Sequence, residues 1–200
     1  MPRCASDAPL RAATDNLSGP VPLLPDLRLR RIRVRRERFL PLLLLADESE
    51  AMIARYLDRC QLYGLFYQKR QPVSLAAITD ESAAFAPGTE GARLAPFLAG
   101  KAVCECRNLV TAPAFRGHGF ARQLLMRLCG IYDRSHDAML VGTGDTPAMQ
   151  HFYRKCGFRP AFVRRGFFRD NYPQPIVEDG CLLEDMICFC RLIRPQAARS

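Results

Sequence analysis

The stretch most able to do chemistry runs Arg116-Gly117-His118-Gly119-Phe120-Ala121. Two closely spaced glycines let the backbone turn sharply with its amides pointing outward. Apolar residues then fall at helical spacing: Ala121, Leu124, Leu125 and Leu128. A helix that begins here adds unsatisfied N–H groups and the positive end of its dipole, which makes an anion cradle suited to phosphate. Arg116 and Arg122 add charge, as does His118 when protonated. The glycine spacing argues against two common phosphate loops. A dinucleotide site wants a third glycine and a later acid, and a nucleotide P-loop wants Gly-Lys-Ser/Thr, whereas here Gly119 is followed by Phe120, Ala121 and Arg122.

Nine cysteines raise a second chemistry, metal or disulfide, and their spacing argues against it. There is no CxxC, and the two CxC pairs, Cys104/Cys106 and Cys188/Cys190, lie in strand-like runs where period 2 sets both sulfurs on one face. Small buried hydrophobes in a reducing compartment are expected, with no metal.

The elements that must position the cradle follow from periodicity. Ala102 to Thr111 reads as a strand leading into it, and about Gly119 to Tyr132 as the helix leaving it. Ala138 to Thr143 is apolar on both faces and predicts a central parallel strand. Thr146-Pro147 reads as N-cap and first turn of a helix whose inner face is Met149, Phe152, Tyr153 and Cys156, with Gly157 ending it. Upstream, a strand begins at Leu27, with Leu29, Ile32 and Val34 turned inward, and Glu37 to Leu45 is a short apolar helix. Asp47-Glu48-Ser49-Glu50 then supplies cap and first-turn acids to a helix carrying Met52, Ile53, Tyr56 and Leu57. Leu62 to Gln68 and Pro72 to Thr79 form a hairpin around Lys69-Arg70-Gln71, Glu81 to Lys101 is irregular with a helical piece at Leu94 to Leu98, and strands at Phe158 to Val163 and Leu182 to Leu192 bracket Arg164 to Cys181. Met1 to Asp26, with five prolines and no periodicity, reads as a disordered leader; residues 27–192 form one domain, and 193–200 a polar tail.

This α/β order, with a mixed and mostly antiparallel sheet flanked by helices, resembles the GNAT superfamily of N-acetyltransferases across nearly all of residues 27–192. Arg116, Gly119 and Ala121 match its pyrophosphate signature, Gln/Arg-x-x-Gly-x-Gly/Ala. Tyr153, Gly157 and Phe158 match its Tyr-x-x-x-Gly-Phe helix. The resemblance implies a sheet splayed between two central parallel strands, and acetyl-CoA as co-substrate. Leu109, Val110 and Thr111 would then lie along the pantetheine arm, with Arg116, Gly117, His118, Gly119, Phe120, Ala121 and Arg122 around the pyrophosphate.

The resemblance also gives roles. Tyr153 matches the general acid that protonates the leaving thiolate; a core aromatic is the plainer alternative. Glu105 resembles the strand glutamate that deprotonates the acceptor amine in histone-acetylating members. By parity it shares a face with Val103 and Leu109, and the alternative is a salt bridge to one of the arginines. Asn108, of opposite parity, would order backbone or a neighbouring strand. Phe167 to Gly180 resembles a segment, FFxxxYxxPIxExG, of a largely uncharacterised bacterial subgroup. There Tyr172 would stack on the acceptor while Glu178 or Asp179 holds its cationic amine; a self-packed loop or dimer contact is the alternative. Asp145 departs from that subgroup's asparagine.

The implied function is direct acetyl transfer to the primary amine of a small molecule or peptide. A non-catalytic acyl-CoA-binding or regulatory module is the alternative. The net charge of +9 suggests a third reading, since seven of the eleven residues from Arg28 to Arg38 are arginine. No aromatic residues interleave with them, so nucleic-acid binding is disfavoured against a solvated edge strand. The longest near-apolar run, Phe39 to Ala46, is too short for a bilayer, and no apolar signal core follows Arg3, so a cytoplasmic protein is expected. Homodimers are common in the family, and a second copy is an expected partner.

Overall fold

The computed structural model describes residues 27–68, 71–178 and 180–194. The leader at 1–26, the hairpin tip at Lys69-Arg70, Asp179 and the end of the tail at 195–200 lie outside the described residues. The chain runs β1 (Arg28–Ile32), α1 (Leu40–Leu43), α2 (Glu50–Leu57), β2 (Gln61–Tyr67), β3 (Gln71–Asp80), α3 (Glu90–Leu94), β4 (Val103–Thr111), α4 (Phe120–Tyr132) and β5 (Ala138–Thr143). It continues through α5 (Pro147–Lys155), β6 (Arg159–Arg164), α6 (Phe167–Asn171), the two-residue strands β7 (Val177–Glu178) and β8 (Cys181–Leu182), and β9 (Met186–Leu192).

Among the described residues, seven strands form one sheet in the order β1-β2-β3-β4-β5-β9-β6. Every pairing is antiparallel except that of β4 with β5. On one face, α4 and α5 bury Leu124, Leu125, Leu128, Tyr153 and Cys156 against Leu65, Cys106, Val141 and Phe189. On the other, α1 and α2 bury Leu43, Ile53 and Tyr56 against Leu62, Leu75 and Val110. The segment around α3 covers Val103, Ala138 and Leu140. Each helix buries only its apolar stripe, which is why the helices were readable from spacing.

Four expectations shift. β1 ends at Ile32, so the alternation stops there: Val34 is 75% exposed, and Leu29 and Ile32 pack on opposite faces of the sheet. The expected helix over Glu37 to Leu45 is a 3-10 turn (Arg36–Phe39) followed by one turn of α-helix, with Pro41 near its start. The helical piece expected at Leu94 to Leu98 is split into α3 and a 3-10 turn at Pro96–Leu98, since Pro96 starts a new turn. Thr146 stands at the N-cap of α5, yet its hydroxyl makes no capping bond.

Candidate active site

β4 and β5 pair only from Val103–Ala138 to Cys106–Val141. Beyond that point β4 runs on to Thr111 along β3, while β5 runs on to Thr143 along β9, so the two parallel strands part. Leu109, Val110 and Thr111 therefore line an open edge, where a ligand's amide groups can take the place of a strand. Just past the last pair, where the fork opens, β4 is bulged: Ala77 faces Asn108 and Ile78 faces Cys106, leaving Arg107 as the extra residue. The bulge overturns the parity expectation. Val103 belongs to the face opposite α4, but Leu109 packs on the α4 side. Asn108 turns the other way, and its amide donates to the Leu43 carbonyl (3.0 Å) and the Tyr56 hydroxyl (3.1 Å).

The cradle has the anticipated form. A 3-10 turn at Pro113–Phe115 brings the chain to Arg116, and Gly117 and Gly119 follow at φ 79° and 74°. A Cβ on Gly117 would touch nothing within 4 Å, so glycine there serves the backbone conformation rather than space. The first intrahelical bond runs from Gln123 N to Gly119 O, leaving the N–H groups of Phe120, Ala121 and Arg122 without intrahelical acceptors. Phe120 is buried and anchors the turn, with His118 stacked on it at 6.1 Å and Phe115 edge-on at 6.2 Å. Arg116, His118 and Arg122 are exposed. A depression of about 370 Å3 lined by Arg122, Gln123, Met126 and Arg127 continues from the cradle along α4. Positive-φ glycines, free amides and flanking arginines fit a diphosphate.

Tyr153 lies on the α4 side, only 6% exposed, its ring set among Phe152 (5.1 Å), Phe189 (6.0 Å) and Phe158 (6.2 Å). Burial, then the nearby Cys106, Cys156 and Glu178, raises its pKa, so the phenol stays protonated at neutral pH. Among the described residues its hydroxyl has no hydrogen-bond partner.

Glu105 is 2% exposed and faces away from α4. Arg164 holds it with two bonds, Nη1 to Oε1 (3.0 Å) and Nη2 to Oε2 (3.1 Å), and Arg107 Nη1 adds a third at 3.2 Å. Burial pushes its pKa up, but the charges and hydrogen bonds of the two arginines outweigh burial and leave it lowered. The salt-bridge arrangement is thus what Glu105 adopts, with both oxygens engaged.

Tyr172, at the end of α6, reaches across to the α1–α2 connection, where its hydroxyl donates to Asp47 Oδ1 (3.1 Å). Arg55 of α2 donates to Asn171 of α6 at 2.6 Å, tying the same two segments together. Glu178 on β7 is half-buried and close enough to influence Tyr153, while Asp179 lies outside the described residues. Asp47, a helix-start acid by its place in the sequence, is set by the fold against Tyr172 instead. The signal was Ser49, which takes the cap of α2 by accepting from Met52 N (3.2 Å) and leaves Asp47 for other work. Arg107 and Arg164 carried no local signal.

The Acetyltransferase (GNAT) domain family matches residues 75–160, from β3 through the cradle, α4, β5 and α5. The Bacillus subtilis protein "Uncharacterized N-acetyltransferase YvbK" is 27% identical over 149 residues, covering 73% of this chain and 83% of that protein. A GNAT family acetyltransferase from Elizabethkingia anophelis, solved with acetyl-CoA bound, superposes with a TM-score of 0.68 at 26% identity, over 84% of this chain and 99% of that one. Together these matches support membership of the GNAT superfamily. An acetyltransferase from Bacillus subtilis, solved in complex with CoA, shares the fold at TM-score 0.67 and 22% identity, over 84% of this chain and 99% of that one. The protein is an acyltransferase with acetyl-CoA as co-substrate. Among the described residues no helix is long and apolar enough to cross a membrane, and no group of three His, Cys, Asp or Glu is placed to hold a metal ion.

Proposed function

We propose that this GNAT protein transfers acetyl directly from acetyl-CoA to a primary amine of a small molecule or peptide in the cytoplasm. The observation that carries the proposal is the fork itself. An open strand edge at Leu109–Thr111 leads from a helix-start cradle, and a buried phenol with an unpartnered hydroxyl lies on the same side of the sheet. Acetyl-CoA supplies the acetyl group activated as a thioester.

The residues Arg116 to Arg122 hold the diphosphate by main-chain N–H groups and guanidinium charge, and the edge of β4 aligns the pantetheine amides. As the amine nitrogen bonds to the carbonyl carbon and the carbon–sulfur bond breaks, Tyr153 gives its proton to the departing sulfur. The proton shed by the amine nitrogen restores the phenol, so one proton passes from nitrogen to sulfur in balance. A raised pKa suits this role: Tyr153 stays protonated between turnovers, and tyrosinate does not accumulate in a buried site.

Glu105, already paired with Arg164 and Arg107, serves this reaction by fixing charge at the fork; the extra proton that an ammonium acceptor must lose before attack reaches it only through water and passes on to solvent. Free thiol released from acetyl-CoA in the presence of an amine panel tests the reading. Coenzyme binding without amine-dependent thiol release would favour the non-catalytic module instead.

A further inference from the structure

Phe167, Phe168 and Tyr172 form a cluster of partly exposed rings, with centroids 5.4 Å, 5.7 Å and 6.4 Å apart. The partner of this cluster, Asp47, comes from 125 residues earlier in the chain. Both hydrogen bonds to its carboxylate fall on Oδ1, from the Tyr172 hydroxyl at 3.1 Å and from Ser49 N at 3.4 Å. Among the described residues Oδ2 takes none. A half-buried carboxylate with one open oxygen, tied through a phenol hydroxyl to a cluster of partly exposed rings, is the chemistry that recognises an organic cation.

The arrangement is held from several directions. Asp185 Oδ1 accepts from Gly166 N (2.7 Å) at the start of α6, Phe168 N donates to the Glu184 carbonyl (2.9 Å), and Arg55 ties Asn171 to α2. The surrounding charge is compatible. Arg107, whose charge reaches Asp47, is matched by Glu105 and Glu81, while Glu48 adds negative charge. Arg55, which acts on Tyr172, is occupied by Asn171. Burial raises the Asp47 pKa, a cost that an incoming cation would offset.

We propose that Asp47, beside the ring cluster of Phe168 and Tyr172, is the subsite for the acceptor's ammonium group, so that the acceptor class is an alkylammonium ion without a carboxylate beside its nitrogen. The subsite rests on the acetyltransferase reading above. It stands with α1 and α2 on the face of the sheet opposite α4, so acceptor and coenzyme approach the fork from opposite sides. It also replaces Glu178 or Asp179 as the acid that meets the amine.

The test compares n-butylamine, 1,4-diaminobutane, glycinamide and glycine as acceptors for wild type, Asp47→Asn, Asp47→Glu and Tyr172→Leu. Wild type should prefer the first three to glycine. Asp47→Asn should raise the amine KM about tenfold, with a smaller fall in kcat and unchanged coenzyme affinity, which also shows that the variant is folded. Asp47→Glu should recover part of the loss, and Tyr172→Leu should raise KM by about threefold. An unchanged KM in Asp47→Asn, or a preference for glycine, overturns the proposal. If no amine releases thiol, the acetyltransferase reading fails on its own terms, and calorimetric titration of CoA-bound protein with n-butylammonium chloride then decides the subsite. Binding lost in Asp47→Asn supports it, and no binding to wild type overturns it.

Discussion

The coenzyme side and the acceptor side of this protein are built from different materials. The cradle at Arg116–Arg122 is a main-chain device: two glycines with positive φ, a 3-10 turn and the open amides of α4. Its parts are neighbours in sequence. The proposed acceptor side is a side-chain device, in which Asp47 meets Tyr172 and Glu105 meets Arg164, joining segments 125 and 59 residues apart. A main-chain site tolerates most side-chain changes and is sensitive to backbone strain. A side-chain site is sensitive to each group and to the packing that brings it in.

Substitutions on the two sides should therefore separate cleanly. The largest effect is expected where they meet: Tyr153→Phe should lower kcat by about 10²–10⁴ while leaving coenzyme affinity intact, read by thiol release and calorimetry. If the loss appears in coenzyme binding instead, Tyr153 belongs to the packing of α5 and the division between the sides fails. Glu105→Ala should cost about 3–5 kcal/mol in urea unfolding at neutral pH, because it leaves the Arg164 charge without its carboxylate partner in a poorly solvated place and Arg107 with Glu81 alone.

The same ion pair predicts a pH dependence. The folded pKa of Glu105 lies below its ordinary 4.5, so its contribution is fully present above that value and is lost as pH falls through the lower folded one. The stability gap between wild type and Glu105→Gln should accordingly narrow below pH 4.5. A gap independent of pH would show that the pair contributes through packing alone.

On the coenzyme side, Gly119→Val forces a β-branched residue to φ 74° and should weaken coenzyme binding by about tenfold, the equivalent of about 1–3 kcal/mol of strain, with amine KM unaffected. The smallest effect is the most informative about Asp47. Its folded pKa is raised above the ordinary 3.8, so the ionised carboxylate costs stability at any pH above that. Asp47→Asn should therefore melt slightly higher than wild type at pH 7, with the gain vanishing below pH 3.8. A gain in stability paired with a loss of amine affinity is the signature of a residue kept for binding rather than folding; a lower melting temperature would mark it as a structural hydrogen-bond acceptor.

By itself the sequence determined what rests on local chemistry. The glycine turn, the helix that follows it and the order of strands and helices were readable, because backbone conformation and amphipathic spacing are written within a few residues of each other. Glycine at 117 and 119 needs no distant partner to adopt its turn, and the apolar stripe of α4 repeats within its own helix.

Tertiary structure alone decided the rest. The extra residue at Arg107 leaves composition unchanged, yet it reverses the faces of Asn108 and Leu109. Arg164 could be assigned to Glu105, and Tyr172 to Asp47, only once the sheet had brought β6 within side-chain reach of β4 across β5 and β9, and α6 had come to the α1–α2 connection. A charge or hydroxyl finds its partner through space, and the folded sheet, not the spacing along the chain, sets which groups come within reach.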